Sequence, residues 1–152
     1  QRRVTLDGPN ERFFDLRLGP QEQCPGAQCG DLLVRDRLGQ WTYQFAVTVD
    51  DLEQKIDLVI RGEDLLASTG RQRALARLLG RRTPLHFLHH PLVRKPGGEK
   101  LSKSAGDSGV RDLRLAGRTS AEVLGAAAHL AGLIDDARAL DVAELAALFR
   151  QE

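Results

Sequence analysis

The run "IDLVIRG" at residues 56–62 is β-branched, compact and stopped by glycine, which is how a buried strand of a parallel sheet reads. Behind it, "EDLLASTGRQRALARLLG" carries apolar positions at Ala74, Leu75, Leu78 and Leu79, the one-sided stripe of a helix that packs. Thr69 with Gln72 is spaced as a capping box, and Gly80 stands where such a helix would end. A second short strand, "PLHFLHHPLV", follows. Strand, helix, strand within about forty residues confines the chain to few folds, because it specifies a crossover between parallel strands. Sheets of that kind bind ligands beyond the carboxyl ends of their strands.

That edge is where the second strand delivers "RKPGGEKLSKS". Lys100 and Lys103 offer compact charges to a polyphosphate, Ser102 and Ser104 offer hydroxyls, and Gly97 and Gly98 give the loop freedom to close over a nucleotide. The same residues also describe a solvated surface loop, and by themselves they do not decide between the two readings.

Elsewhere the pattern is plainer. Residues 2–18 read as strand, turn, strand around "DGPN" and "LGP"; "GPQEQCPGAQCG" reads as irregular; and "DLLVRDRLGQW" reads as a hairpin turning at Leu38 and Gly39. In "TYQFAVTVDD", Phe45, Val47 and Val49 alternate as in a strand, whereas Tyr43 and Val47 fall together at helical spacing. The last third is helical, with Thr119 and Glu122 boxing one start and Asp141 and Glu144 another, and its Ala- and Leu-rich helices are expected to pack. His129 is expected at the edge of that packing.

The bulk numbers exclude more than they assert. With 152 residues, 41% of them apolar, the chain has material for one sizeable core. It holds 22 basic and 21 acidic residues, a net charge of +1, so any contact with nucleic acid must use local patches. No apolar run reaches the ~20 residues of a membrane span, and a cytoplasmic protein that makes no membrane contact is expected. Cys24 and Cys29 are half a metal site at most, because His86, His89 and His90 belong to another element; two ordinary thiols are expected, and no metal ligands are assigned. Asp50 and Asp51 read as a solvated turn or a helix cap. There is no methionine, not even at position 1, which reads as a piece of a longer protein.

"YQFAVTVDD", "DLVIRGEDLLASTGRQ", "FLHHPLV" and "KLSKS", in this order, resemble the second half of the catalytic domain of the class I glutamyl-tRNA synthetases. The wording of "GDLLVRDRLGQWTYQFAVTVDD" is closer to the shorter paralogous branch, which glutamylates the queuosine in the anticodon of tRNA(Asp). The resemblance is strongest from Gly30 to Ser104.

It implies an α/β fold: the second half of a class I Rossmann-like catalytic domain at residues 43–104, a β-rich connecting insertion at 1–42 and a helical tail at 105–152. It implies ATP with Mg2+, L-glutamate and a tRNA, in the closer branch tRNA(Asp), as substrates and partners. Lys103 would bind the ATP phosphates and act in catalysis, with Lys100, Leu101 and Ser102 completing the ATP-binding loop. Tyr43 and Arg61 would hold glutamate.

Without the resemblance, Arg61 reads as a partner of Glu63 or Asp64, and Tyr43 as a core aromatic with its hydroxyl in solvent. The resemblance also makes "TYQFAVTVDDL" helical, against its alternation. No His-x-Gly-His motif occurs in the sequence, so these residues alone are expected not to activate glutamate; zinc is expected only upstream of residue 1. Gly70 stands where the family often has proline, a change expected to loosen the helix start without touching chemistry.

Overall fold

The computed structural model describes residues 1–93 and 109–150, which form two units, Gln1–His90 and Pro91–Glu152. Lys100, Leu101, Ser102 and Lys103 lie outside the described residues.

The first unit holds β1 (Arg2–Val4), β2 (Glu11–Asp15), β3 (Gly19–Gln23), α1 (Pro25–Cys29), β4 (Leu32–Arg35), α2 (Tyr43–Glu53), β5 (Leu58–Gly62), a 3-10 turn (Glu63–Ser68), α3 (Thr69–Leu78) and β6 (His86–His90). Strands β1 and β4 pair antiparallel, and the other four make one sheet in the order β3-β2-β6-β5. The expected crossover is present. β5 and β6 run parallel from Leu58 beside His86 to Gly62 beside His90, and α3 lies between them in the chain. β2 joins β6 in parallel at Asp15 and Phe87, while β3 returns antiparallel to β2.

The core cluster joins α3 to β4 and to the loop after β1. Leu6, Leu32, Val34, Ala74 and Leu75 form its centre, with Phe45 packed against it. Phe13 meets Phe87 edge to face at 5.4 Å. In α3 only half of the expected stripe is buried: Ala74 and Leu75 are inside, whereas Leu78 and Leu79 are exposed. Gly80, at φ +90°, ends the helix as its position suggested, and Arg81 N–H reaches back to the Ala76 carbonyl.

Several expectations are corrected. β5 is not buried on both faces: it is an edge strand with Leu58 and Ile60 exposed, because a continuous apolar run does not show whether a second layer covers it. The segment read as irregular forms β3 and α1, with Pro25 at the first position of the helix. Residues 43–53 are helical, as the resemblance implied, and the alternation Phe45, Val47, Val49 is coincidental. Thr42 anchors that helix to β4 rather than capping it, its hydroxyl donating to the Leu33 carbonyl at 2.7 Å.

The second unit contains α4 (Val110–Leu115), α5 (Ser120–Leu130) and α6 (Val142–Ala147). Both capping boxes form: Glu122 N–H donates to Thr119 at 3.2 Å and Glu144 N–H to Asp141 at 2.8 Å. His129 is exposed and lies 3.2 Å from the Ile134 carbonyl. A side chain at Gly125 would overlap the Arg138 carbonyl oxygen, which lies directly over α5. Gly125→Ala should therefore destabilise this unit by about 1–3 kcal/mol through overpacking, although alanine in an open helix gains about 1 kcal/mol. Amide exchange along α5 measures the difference, and unchanged or slower exchange in the variant would contradict the close contact. Among the described residues no helix is long and apolar enough to cross a membrane.

Candidate functional site at the carboxyl ends of β5 and β6

Strand periodicity places a polar residue on the buried face of three adjacent strands. On β2 it is Asp15, two residues beyond buried Phe13; on β6 it is His89, two beyond buried Phe87. On β5 it is half-buried Arg61, directly across from His89 in the register. Asp15 and His89 are fully buried, so each must find partners inside the protein.

They find each other and Arg61. The Arg61 Nε–H donates to His89 Nε2 at 3.0 Å, and His89 Nδ1 lies 2.6 Å from Asp15 Oδ2. Arginine carries only donors, so His89 Nε2 is an acceptor and the ring proton sits on Nδ1, facing Asp15. The second Asp15 oxygen accepts from the backbone N–H groups of Arg17 and Leu18, and Oδ2 also accepts from His89 N–H. Burial alone would raise the Asp15 pKa; the hydrogen bonds from His89, Leu18 and Arg17 outweigh it and hold the carboxyl below the usual aspartate value.

The start of α3 completes the frame. Arg61 Nη1 donates to Gln72 Oε1 at 2.6 Å and Nη2 to Thr69 Oγ1 at 2.8 Å. Gln72 passes its own amide hydrogen to Gln44 on α2 at 2.7 Å, and Gln44 donates to Ser68 at 3.2 Å. Thr69 and Gln72 thus do not form the expected capping box: Ser68 precedes α3 with no side-chain cap, and the two residues turn toward the guanidinium instead. Arg61 does not take Glu63 as partner either, since Glu63 pairs with Arg17 at 2.6 Å. Among the described residues three of the five guanidinium donors are committed, leaving one on each terminal nitrogen.

Tyr43, at the first turn of α2, is 56% exposed, so it is no core aromatic. Burial pulls the Arg61 pKa below its ordinary value, while the nearby Tyr43 and Asp51 act against that shift. Asp51 is neither a turn nor a cap: it lies within α2, where burial raises its pKa, opposed by Arg61 and Arg81 and assisted by Asp50. The structure therefore sets Tyr43, Asp51 and Arg61 in one electrostatic neighbourhood.

Gly70 is corrected too. Its N–H donates to Gln23 Oε1 at 2.8 Å, and an added Cβ would come within 2.7 Å of that oxygen. Gln23 also donates to the Leu66 carbonyl at 2.9 Å, so glycine here admits the side chain that pins the helix start. Cys24 and Cys29 are free thiols. Among the described residues no group of three or more His, Cys, Asp or Glu could hold a metal ion.

Asp15, His89, Thr69, Gln72 and Gln44 were not singled out for this role from sequence. The available signal was a polar residue on the apolar face of a strand, in "ERFFD" and again in "FLHH".

Comparison with known proteins converges on the same region. The family described as tRNA synthetases class I (E and Q), catalytic domain, matches residues 22–121. A glutamyl-Q tRNA(Asp) synthetase of Geobacter sulfurreducens is 48% identical over 101 residues, covering 66% of this chain and 32% of the relative. One from Symbiobacterium thermophilum is 41% identical over 147 residues, covering 97% of this chain and 45% of the relative. The chain therefore spans less than half the length of either.

Among solved structures, a glutamate tRNA ligase from Elizabethkingia meningosepticum, crystallised with its amino acid, aligns with TM-score 0.54 and 34% identity over 64% of this chain and 19% of that one. Glutamate-tRNA synthetase from Elizabethkingia anophelis gives 0.57 and 33% over 68% and 21%. With a parallel crossover that frames an arginine at its carboxyl edge, and a family match across two thirds of its residues, this chain belongs to the catalytic domains of the class I tRNA synthetases for glutamate and glutamine.

Proposed function

We propose that this chain supplies part of the active site of an ATP-dependent ligase that activates glutamate and transfers it to tRNA, with the queuosine of tRNA(Asp) as the acceptor. The observation that carries the reading is Arg61. Its guanidinium is fixed on three sides and keeps one donor on each terminal nitrogen, an arrangement that accepts a carboxylate in bidentate fashion. The Arg61 guanidinium offers only donors, which favours an oxygen acceptor and leaves an amide nitrogen unpaired. Tyr43, exposed and within electrostatic reach of Arg61, is assigned to the same substrate. The tRNA(Asp) branch is favoured by the two relatives that share 48% and 41% identity with this chain.

The reaction proceeds in two steps. A glutamate carboxylate oxygen attacks the α-phosphorus of ATP, the bond to the β-phosphate oxygen breaks, and pyrophosphate leaves. The adenylate then passes its acyl group to a nucleoside hydroxyl, releasing AMP. Arg61 and Tyr43 contribute binding and orientation. Lys103 is assigned to the ATP phosphates, with Lys100, Leu101 and Ser102 beside it. Mg2+, when bound with ATP, would supply countercharge to the phosphates; the described residues offer it no carboxylate cluster. The cytoplasm is the compartment this reading assigns.

The test is pyrophosphate exchange into ATP by the full-length gene product. Arg61→Ala should raise the KM for glutamate roughly tenfold to a hundredfold, the value of hydrogen bonds to a charged group, with little change in the KM for ATP. Equal effects on both substrates would assign Arg61 a structural role and remove the observation on which the reading rests.

A further inference from the structure

Arginine side chains are long and flexible, and fixing one costs rotamer entropy that its neighbours must repay. Around Arg61 the repayment is unusually elaborate. The side chains of Thr69 and Gln72 would suffice for a structural arginine, yet the chain also buries an ionisable pair behind it, with Asp15 and His89 both 0% exposed. Burying an unshielded carboxylate is costly, and binding a substrate carboxylate on Arg61 does not by itself require one.

The directions of the hydrogen bonds explain it. An isolated imidazole exchanges its proton between Nδ1 and Nε2, and only the Nδ1–H form presents an acceptor to Arg61. Asp15, an acceptor at 2.6 Å from Nδ1, selects that form. Asp15 is itself held by the N–H groups of Arg17, Leu18 and His89. Thr69 Oγ1 accepts from Arg61 and lies 3.2 Å from Nε2. The Arg61 guanidinium also sits over the Phe87 ring at 5.6 Å, and Phe87 in turn stacks against His89 with ring centroids 6.1 Å apart.

We propose that Asp15 and His89 are a positioning pair: the carboxylate locks His89 as the Nδ1–H tautomer, and its Nε2 lone pair fixes the plane of the Arg61 guanidinium. The consequence for the substrate rests on the function proposed above, because a fixed plane aims the two remaining donors at a carboxylate. His89 touches no substrate in this scheme. It acts through Arg61, as do Thr69 and Gln72 from the other side.

Two substitutions separate positioning from packing. His89→Asn keeps an amide donor near the position of Nδ1, facing Asp15, but offers nothing at Nε2. His89→Gln reaches the Nε2 position with a carbonyl that can accept from Arg61, but abandons Asp15. In the 152-residue chain, two-dimensional nitrogen–proton spectra of the imidazoles should show His89 protonated at Nδ1 and bare at Nε2, and the Arg61 Nε–H should exchange slowly. That slow exchange should survive His89→Gln and be lost in His89→Asn, even though the glutamine variant gives up the bond to Asp15 and is the less stable.

In the full-length gene product, His89→Asn should raise the KM for glutamate about tenfold with kcat little changed, and His89→Gln should recover most of the loss. A His89 ring protonated at Nε2 would overturn the proposal. So would losses in Arg61 ordering that simply follow the stability of the two variants. The Nδ1–H tautomer and a protected Arg61, together with a full-length gene product in which Arg61→Ala leaves the KM for glutamate unchanged, would uphold the positioning pair and instead sink the glutamate reading.

Discussion

Asp15→Ala is expected to cost the Gln1–His90 unit about 3–5 kcal/mol, the range for removing one partner from a buried charged contact. That is a large part of the 5–15 kcal/mol that holds an ordinary domain together. The loss is large because the carboxylate serves four donors at once. Its removal takes the acceptor from the part-buried N–H groups of Arg17 and Leu18 and strands the N–H and the Nδ1–H of His89, which are fully buried.

A pH titration tests the same carboxyl without emptying its site. Asp15 has a folded-state pKa below its ordinary value of 3.8. Its ionised form therefore adds stability that is fully present above pH 3.8 and is lost as the pH falls through the lower folded value. Urea midpoints should accordingly fall in wild type as the pH drops into that window, and Asp15→Asn should lack that component of the acid dependence. An identical acid slope in the two proteins would show that Asp15 is not the group responsible. An Asp15→Ala protein with an unchanged midpoint would show that the buried network adds nothing to stability.

How much of this was legible beforehand depended on which residues carried the signal. The crossover was readable because "IDLVIRG" and "FLHH" are compact strands, each stopped by a glycine or proline, and because Gly80 ends the helix between them. Both tail boxes were readable because capping is local: Thr119 and Asp141 need only the residue three positions on. Local logic failed at Thr69 and Gln72, which have the same spacing. There a guanidinium from β5 competes for the hydroxyl and the amide, and a charged donor outbids a backbone N–H.

The helix at Tyr43–Glu53 shows a different failure. Its alternation of Phe45, Val47 and Val49 has no structural counterpart, whereas Gln44 bonds to Ser68 and Gln72, and Asp51, two helical turns on, interacts electrostatically with Arg61. Arg61 and Tyr43 could be named from the family wording. Asp15 and His89 could not, since the contact between them joins residues 74 positions apart. Only the sheet order brings β2 beside β6 and so sets Asp15 next to the strand of His89.

Lys103→Ala is the substitution expected to affect chemistry most. β5 and β6 end side by side at Gly62 and His90, so the chain leaves the sheet toward the "KLSKS" segment from the same edge at which Arg61 is framed. If Lys103 neutralises charge that grows on the phosphates as the adenylate forms, its contribution is greatest in the transition state, and its removal lowers kcat rather than glutamate affinity. Loss of one preorganised donor of this kind costs ~10²–10³ in rate, or about 3–4 kcal/mol. Lys100→Ala should cost less, because it stands at the shoulder of the segment, three residues earlier. A solvated surface lysine would behave otherwise, since substitutions there stay within about 0.5 kcal/mol and leave turnover nearly intact. Single-turnover adenylate formation by the full-length gene product separates the two, and the KM for glutamate serves as the internal control. Arg61→Ala should move KM and spare the chemical step; Lys103→Ala should do the reverse. A near-wild-type rate for Lys103→Ala would return "KLSKS" to the status of a surface loop, whereas a slowed chemical step with unaltered glutamate affinity would divide the site as proposed, with the carboxylate held on β5 and the phosphates by the lysine.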